Sequence, residues 1–184
     1  MSDSQPKPLI LIFSTAYLPM VGGAELAIRD ITDRIADRFE FIVFTARIRS
    51  ELLPRERVGA VEVRRLGFGT PLDKYLFPFL VLYAARPLLP RARAFWGMMA
   101  SFGSIGAYFL KRRNPRIPFL LTLQEGDPEE YLLRGRWGVM GFWFGRIVRA
   151  ADRIQTISEY LKRLAIKLGA DSGRVDVVPN GVDL

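Results

Sequence analysis

The sequence contains two short polar loops whose residue types suit phosphate and sugar binding. The first is Pro19-Met-Val-Gly22-Gly23-Ala-Glu25, which stands between an apolar run and an amphipathic segment. Glycines at the start of a helix let backbone amides approach an anion, and the helix dipole adds about half a positive charge there. The spacing therefore predicts an anion-binding loop at Gly22 and Gly23. Glu25 falls in the first helical turn, where it either caps the helix or contacts a ligand.

The second loop is Thr122-Leu-Gln124-Glu125-Gly126-Asp127, which is polar and acidic and follows an apolar strand directly. The carboxylates of Glu125 and Asp127 could accept hydrogen bonds from a sugar hydroxyl or act as a base. Acids beside glycine and proline are equally common as ordinary turn residues, so both interpretations stay open. Gln124 can donate and accept hydrogen bonds but cannot transfer a proton.

The residue types that are missing limit the chemistry further. The 184 residues include no cysteine and no histidine. A disulfide framework, a Cys/His zinc site and a nucleophile–histidine triad are therefore excluded. The acidic residues do not form a cluster with metal-ligand spacing, so the sequence predicts no metal and no bound cofactor. Carboxylates, amides, hydroxyls and backbone groups are left to do the chemistry.

The elements that must position these loops alternate along the chain. Apolar runs predict strands at residues 9–14, 39–45, 61–66, 94–98, 118–123, 154–156 and 175–178. Helices are expected at residues 24–37, 71–88, 101–113, 137–151 and 159–168. Strands that are apolar throughout indicate a sheet covered on both faces. We therefore predict an α/β fold with a single Rossmann-like, doubly wound parallel sheet and helices on both faces. Flexible loops are expected at residues 47–57 and 124–136.

In such a sheet, ligands bind beyond the carboxyl ends of the strands. The loop at Gly22 and the loop at Gln124 both follow strands, so they should face one crevice. A dinucleotide oxidoreductase would use the same fold. Its Gly-x-Gly-x-x-Gly fingerprint is missing here, however, and the second predicted strand ends in Thr45-Ala-Arg47 instead of a ribose-binding acid.

Positive charge is concentrated in residues 74–124. The net charge of +8 equals the eight basic residues of this segment, which contains no acid. Aromatic and aliphatic side chains at residues 76–83 and Trp96 are interleaved with these cations, a combination that suits anionic lipid head groups. A solvated basic face is the alternative. Nucleic acid is not expected as a partner, because no nucleic-acid motif is present. The basic residues assigned to a membrane-facing segment are Arg86, Arg91, Arg93, Lys111, Arg112, Arg113 and Arg116.

Residues 94–110 form an uncharged run of 17 residues, near the lower limit for crossing a bilayer. The glycines and serines inside it favour a division into a strand and a helix. The polar N-terminus, residues 1–8, has no apolar core of signal-peptide length. We therefore expect a cytoplasmic protein, peripheral at the inner face of the membrane if the basic segment binds lipid.

The end of the chain carries the most specific pattern. Ser158 is placed to cap a helix whose apolar positions repeat at i, i+3, i+4 and i+7, and a further strand leads into Pro179-Asn180-Gly181. The run Ala-Asp-Arg-Ile-Gln-Thr-Ile-Ser-Glu-Tyr, followed by Val-Pro-Asn-Gly-Val-Asp, resembles the end of the N-terminal domain of family 4 glycosyltransferases. The loop at residues 19–25 resembles the Pro-x-x-Gly-Gly-x-Glu loop of the same family.

This resemblance implies the N-terminal half of a GT-B fold, in a retaining enzyme that transfers sugar to a glycan, a glycolipid or a lipid-linked acceptor. Residues 1–178 would be the acceptor-binding domain, and residues 179–184 the start of the interdomain linker. The C-terminal domain that binds the nucleotide-sugar co-substrate, with its Glu-x7-Glu motif, is absent from this sequence. The chain alone is therefore expected to be inactive. Among the residues, the resemblance places Gly22, Gly23 and Glu25 beside the donor diphosphate and the acceptor.

The sequence departs from the family pattern in the second loop. Many members have histidine where Gln124 stands and glycine where Glu125 stands, so a proton-transfer role at Gln124 is lost. The candidate binding residues are thus Gly22, Gly23, Glu25, Gln124, Glu125, Asp127, Ser158 and Asn180, and no residue is predicted to be catalytic. A non-catalytic module that binds anionic lipid or phosphate, or one half of a split transferase, is the alternative function.

Overall fold

The structure is a computed structural model that describes residues 6–126 and 139–181. An eight-stranded sheet forms its centre. The strands are β1 (Leu9–Phe13), β2 (Glu40–Ala46), β3 (Arg55–Val58), β4 (Val61–Leu66), β5 (Ala92–Met98), β6 (Phe119–Leu123), β7 (Arg153–Thr156) and β8 (Val175–Val177). The helices are α1 (Gly23–Arg34), α2 (Asp73–Ala84), α3 (Phe102–Arg113), α4 (Val139–Ala150) and α5 (Glu159–Lys167). Two single-turn 3₁₀ helices occupy Arg86–Leu88 and Ser172–Arg174.

The strand order is β3-β4-β2-β1-β5-β6-β7-β8. All neighbouring strands run parallel except β3, which pairs antiparallel with β4. The chain winds outward from β1 in one direction and from β5 in the other, so the order reverses between these two strands. The predicted α/β fold with a doubly wound parallel sheet is confirmed.

Helices cover both faces of the sheet. Along β1, Leu11 and Phe13 face the core beneath α2, α3, α4 and α5, whereas Ile12 faces α1. This alternation follows from the two-residue period of a strand, and both sets are apolar because each face is covered. Phe13 stacks on Phe44 of the neighbouring strand with ring centroids 5.8 Å apart. Of the α-helices in the described residues, four therefore lie on one face of the sheet and one on the other.

Two element predictions need correction. Residues 47–57, predicted to be a flexible loop, contain the start of β3. Its sequence, Arg-Glu-Arg-Val, lacks the apolar run used to recognise strands, and β3 forms because β4 offers it an antiparallel partner. The predicted helix at residues 71–88 ends at Ala84, and a separate 3₁₀ turn, Arg86–Leu88, follows it.

The uncharged run at residues 94–110 divides as predicted between β5 and α3. Across the described ranges, no helix has the length and hydrophobicity needed to cross a membrane. Trp96 does not belong to an exposed surface, which corrects its grouping with the basic segment. Its side chain is buried on the α1 face, and its indole N–H donates to Thr122 Oγ1 at 2.9 Å.

The start of α2 is fixed by the buried carboxylate of Asp73. Its Oδ2 accepts the backbone N–H groups of Phe68, Gly69 and Thr70 at 2.7, 2.7 and 3.0 Å. Burial by itself would raise the pKa of Asp73, but these three donors hold the pKa below its ordinary value. The loop between β4 and α2 is therefore tied to the first turn of the helix.

Candidate functional site

The reversal of strand order places a candidate crevice at the carboxyl ends of β1 and β5. The first turn of α3 packs directly on the loop after β1. The N–H of Gly103 donates to Thr15 Oγ1 at 3.1 Å, and a Cβ atom added at Gly103 would lie 2.7 Å from the backbone of Ser14. Only glycine allows this close approach.

The loop with Gly22 and Gly23 leads into α1. Gly22 is the N-cap residue, and its carbonyl accepts the N–H of Leu26 at 3.1 Å. A Cβ atom added at Gly22 would lie 2.6 Å from Oε2 of Glu25, so this carboxylate folds back over the start of its own helix. At Gly23, by contrast, an added Cβ would meet nothing within 4 Å. The open side of the helix start is therefore at Gly23.

Gly23 lines a cleft of about 520 Å³ between α1 and the residues that follow β8. Asn180 and Gly181 form part of the opposite wall. Gly23 and Asn180 thus line one cavity, although they come from opposite ends of the sequence and were predicted separately as binding residues. The remaining lining is mostly apolar, and its polar side chains are those of Asp30, Arg34 and Gln155.

Gln124 reaches the same region through Asn180. Gln124 Nε2 donates to Asn180 Oδ1 at 3.2 Å, and Asn180 Nδ2 donates to Gln124 Oε1 at 3.4 Å. The pair is exposed to solvent, so each carboxamide can exchange its partner for a ligand group. The loop after β6 and the segment after β8 meet at this contact.

Glu125 points the other way, into the protein. Its side chain is buried, and Oε1 accepts the backbone N–H of Ala100 in the turn between β5 and α3. In the same turn Met99 has a positive φ of 61°, and its N–H donates to the carbonyl of Thr122 at 2.8 Å. Glu125 therefore stabilises an unusual backbone turn beside the crevice. Its hydrogen bonding to a sugar stays a prediction, and Asp127 lies outside the described residues.

Ser158 caps α5 as predicted. Its Oγ accepts the N–H of Leu161 at 3.3 Å. The carbonyl of Ser158 also accepts the hydroxyl of Thr156 at 3.2 Å, which holds the cap against the end of β7. A ligand-binding role for Ser158 stays a prediction.

Tyr17 is a buried polar residue of the α1-face core that the sequence reasoning missed. It belongs to the loop between β1 and α1, is fully buried, and within the described part of the chain its hydroxyl has no hydrogen-bond partner. Burial and the nearby carboxylate of Asp33 raise the pKa of Tyr17 to about 12. The phenol is therefore neutral at physiological pH.

Thr15 and Gly103 were also missed as neighbours of the crevice. Their proximity depends on β1 and β5 being adjacent, which the order of elements along the chain does not reveal. The polar pair Ser14-Thr15 after an apolar strand was the available signal. Within residues 6–126 and 139–181, no group of three or more acidic side chains is arranged to hold a metal ion.

The basic segment divides into two groups. Lys111 donates to Asp152 at 2.7 Å and has only 12% of its side chain exposed, and Arg91 contacts Glu40 at 2.6 Å. Both are engaged in ion pairs with acids from outside the segment. The assignment of all seven basic residues to a membrane-facing segment stays a prediction.

Comparison with protein families identifies the class. The model of Glycosyltransferase Family 4 matches residues 21–184. The chain therefore belongs to this family, and its sheet is that of one half of a GT-B glycosyltransferase, as the linear motifs predicted. No curated protein sequence matches the chain.

Solved structures with the same fold cover almost the whole chain. Sucrose-phosphate synthase from Thermosynechococcus elongatus is 14% identical with a TM-score of 0.72, and the match covers 97% of this chain and 49% of that one. Anabaena HepE in complex with UDP and glucose is 19% identical with a TM-score of 0.64, covering 95% and 45%. UDP-N-acetylglucosamine 2-epimerase from Rickettsia bellii is 11% identical with a TM-score of 0.60, covering 92% and 43%.

At these identities the likeness shows the fold alone, and the presence of an epimerase illustrates that one fold serves several reactions. The chain spans less than half the length of each of these three solved proteins.

Proposed function

We propose that this chain is the acceptor-binding domain of a retaining, hexosyltransferase-type glycosyltransferase. The enzyme would transfer a sugar from a nucleotide-sugar to a glycan, a glycolipid or a lipid-linked acceptor. The observation that carries the proposal is the cleft shared by Gly23 and Asn180, in a chain that belongs to Glycosyltransferase Family 4.

The start of α1 suits the departing diphosphate. No side chain caps this helix, so its first amides keep their donor capacity, and the dipole favours negative charge. The space beside Gly23 would admit a phosphate oxygen close to the backbone. Stabilising the leaving group in this way lowers the barrier without any proton transfer.

The pair of Gln124 and Asn180 suits the acceptor. Two exposed carboxamides offer both donors and acceptors, which match the mixed character of sugar hydroxyl groups. Holding the acceptor hydroxyl close to the anomeric carbon contributes through orientation, which is worth several powers of ten in rate.

A second domain would bind the donor nucleotide, so the chain alone would be inactive. Anabaena HepE, whose structure is a complex with UDP and glucose, supports a nucleotide-sugar as co-substrate. A cytoplasmic location at the inner face of the membrane would fit a lipid-linked acceptor, and the basic segment supports an anionic membrane surface as a partner. No metal is required by this scheme.

The test uses the full-length protein that carries this chain. Labelled nucleotide-sugars, beginning with UDP-glucose, are incubated with the protein and total membrane lipids, and the labelled product is isolated. NMR of the new glycosidic bond distinguishes retention from inversion. We expect transfer with retention; transfer with inversion would contradict the mechanism but not the transferase class.

Gly23→Ala tests the phosphate loop. The added methyl group has open space in the protein, so the fold is preserved, but the methyl would stand where the phosphate approaches. We expect transfer to fall by about a hundredfold. Gly173→Ala is the matched control, because its added Cβ makes only an ordinary contact of 3.5 Å with Asp171. A Gly23→Ala enzyme as active as the control would show that the loop does not hold the diphosphate.

The absence of transfer with every nucleotide-sugar would favour the non-catalytic module that binds anionic lipid or phosphate.

A further inference from the structure

The helix α2 is apolar on two opposite sides. Phe77, Pro78 and Val81 are buried against the sheet and against Gly106 of α3. A second stripe faces solvent and follows the helical spacing i, i+3, i+4, i+7 and i+11, at Leu72, Tyr75, Leu76, Phe79 and Tyr83. Phe79 is 64% exposed and Tyr83 is 79% exposed. A solvent-facing stripe of this kind marks a surface that binds something.

The aromatic surface continues across the neighbouring helices. Phe79 lies 6.0 Å from Phe109 of α3, measured between ring centroids, and Phe109 lies 5.4 Å from Trp143 of α4. Trp143 in turn contacts Phe142, which is 55% exposed. One row of rings therefore joins α2, α3 and α4 on the side of the domain away from the sheet.

Acidic side chains are almost missing from these three helices. Their sequences contain a single carboxylate, Asp73, and it is buried. Helix α1, on the opposite face of the sheet, carries Glu25, Asp30 and Asp33 along with its arginines. The layer of α2, α3 and α4 is thus cationic as well as aromatic, and α1 is not.

Arginine-lined clefts flank the end of the stripe. One cleft of about 910 Å³ lies between α2 and the strands β3 and β4, with Tyr83 at its rim and Arg86 in its wall. Arg55 and Arg64 also line it, but both are paired with Glu62. A second cleft, of about 530 Å³, contains Phe79, Tyr83, Arg86 and Arg113. Tyr83 and Arg86 belong to both clefts. The cations therefore stand beside the exposed rings, where they can reach lipid phosphates.

We propose that the outer surface of α2, α3 and α4 docks on a lipid bilayer that contains anionic lipids. The exposed side chains of α2 enter the interface between head groups and acyl chains, and the guanidinium groups of Arg86 and Arg113 bind lipid phosphates. The inference deepens the proposed function and rests on it for the lipid-linked acceptor. The docking itself is measured separately, without any sugar transfer. The bilayer is favoured because the exposed apolar side chains of α2 and the cations of Arg86 and Arg113 lie side by side.

The experiment is flotation of the protein with vesicles of phosphatidylcholine alone and of phosphatidylcholine with phosphatidylglycerol. We expect binding to the anionic vesicles, weakened by salt, and little binding to the neutral ones. Combined Phe79→Ser and Tyr83→Ser should lower the affinity by roughly tenfold or more, because both rings lose their burial in the interface. Arg86→Gln and Arg113→Gln should each lower it about fivefold.

Two control variants change similar side chains elsewhere. Val21→Ser removes an exposed apolar side chain in the loop that leads into α1, away from the three helices and the two clefts, and Arg38→Gln removes an exposed cation beyond the end of α1. Both should bind vesicles like the parent protein. Equal losses in the controls and in the α2 variants would overturn the proposal, as would equal binding to neutral and anionic vesicles.

Depth of insertion is measured with Phe79→Trp and lipids brominated on the acyl chains. We expect quenching beyond that of the parent protein, and none beyond it for Val21→Trp. If Phe79→Trp showed no extra quenching, or if the protein bound no vesicles, the bilayer assignment would be overturned. A folded protein would then be favoured as the occupant. Vesicle binding without any sugar transfer would support the docking surface and contradict only the proposed function.

Discussion

Gln124 and Asn180 exchange hydrogen bonds between their carboxamides, although 56 residues separate them along the chain. The contact joins the loop after β6 to the segment that leaves β8. It lies beside the cleft in which Asn180 faces Gly23. A single polar contact therefore couples three regions of the sequence at the carboxyl edge of the sheet.

Replacing either carboxamide should lower sugar transfer and leave the fold intact. For Gln124→Ala and Asn180→Ala we expect a loss of about tenfold or more in transfer by the full-length protein, because each change removes an acceptor contact. The free energy of unfolding should change by less than about 0.5 kcal/mol, since the pair is exposed. Denaturant melts and transfer assays of both variants and their combination check this. A stability loss above about 2 kcal/mol would show that the contact is structural.

Gly103→Ala should destabilise the domain by about 2 kcal/mol. The added Cβ would lie 2.7 Å from backbone atoms of Ser14, and backbone cannot move aside as a side chain can. Gly145→Ala, in α4, is the matched control. Its Cβ would approach only the flexible guanidinium of Arg149 at 3.2 Å, so we expect no loss, or a gain of about 0.5 kcal/mol. Chemical denaturation distinguishes the two; equal stabilities would disprove the tight contact.

Asp73→Ala should cost about 3 kcal/mol at pH 7, because three buried N–H groups lose a charged acceptor. The pKa of Asp73 is lowered in the folded protein, so its contribution is present above the unfolded pKa of about 3.9 and is lost as pH falls through the folded pKa.

The stability difference between parent and Asp73→Ala should accordingly shrink in acid. Urea melts at pH 7, pH 4 and pH 3 measure it, with Asp37→Ala as a control at an exposed acid. A difference that stayed constant down to pH 3 would mean that the charge of Asp73 does not stabilise the loop.

Tyr17→Phe should stabilise the protein by about 1 kcal/mol. The variant keeps the buried ring and removes a hydroxyl that has no partner among the described residues. Because the pKa of Tyr17 is raised to about 12, the parent should lose stability as pH rises from about 10 to 12, and the variant should lack this loss. Thermal melts at pH 7 and pH 11 test both statements. A destabilised variant would indicate that the hydroxyl makes a bond after all.

The regular elements were largely predictable, because apolar runs and helix caps are local signals. The exception is β3, whose Arg-Glu-Arg-Val sequence becomes a strand through its partner β4. The end of α2 was also placed too late, since Arg86–Leu88 forms a tighter turn that continues the helical direction. The first error arises where tertiary pairing overrides local propensity. The second arises at Pro87, because a proline ring disfavours the continuation of an α-helix.

The individual residues of the site could be predicted from the sequence, but the contacts between them could not. Gly22, Gly23 and Asn180 were singled out from motifs, whereas the contact between Gln124 and Asn180 depends on strand order. Glu125 shows the limit most clearly. An acid in a polar loop suggests a ligand contact, yet its side chain turns inward to the N–H of Ala100.

Charge along the sequence also differs from charge on the surface. Residues 74–124 contain no acid, but Lys111 and Arg91 find acids in other elements, Asp152 and Glu40. Arg55 and Arg64, from β3 and β4, line the cleft beside Arg86, but both are likewise paired with an acid, Glu62.

The antiparallel edge strand β3 also determines how far the sheet can extend. Its alternating charges, Arg55, Glu56 and Arg57, border the last row of backbone hydrogen-bonding groups, and a strand arriving from another molecule would have to bury them. Pairing with β4 thus ends the sheet with a short, charged border. The same strand that supplies Arg55 to the cationic cleft protects the domain against edge-to-edge aggregation.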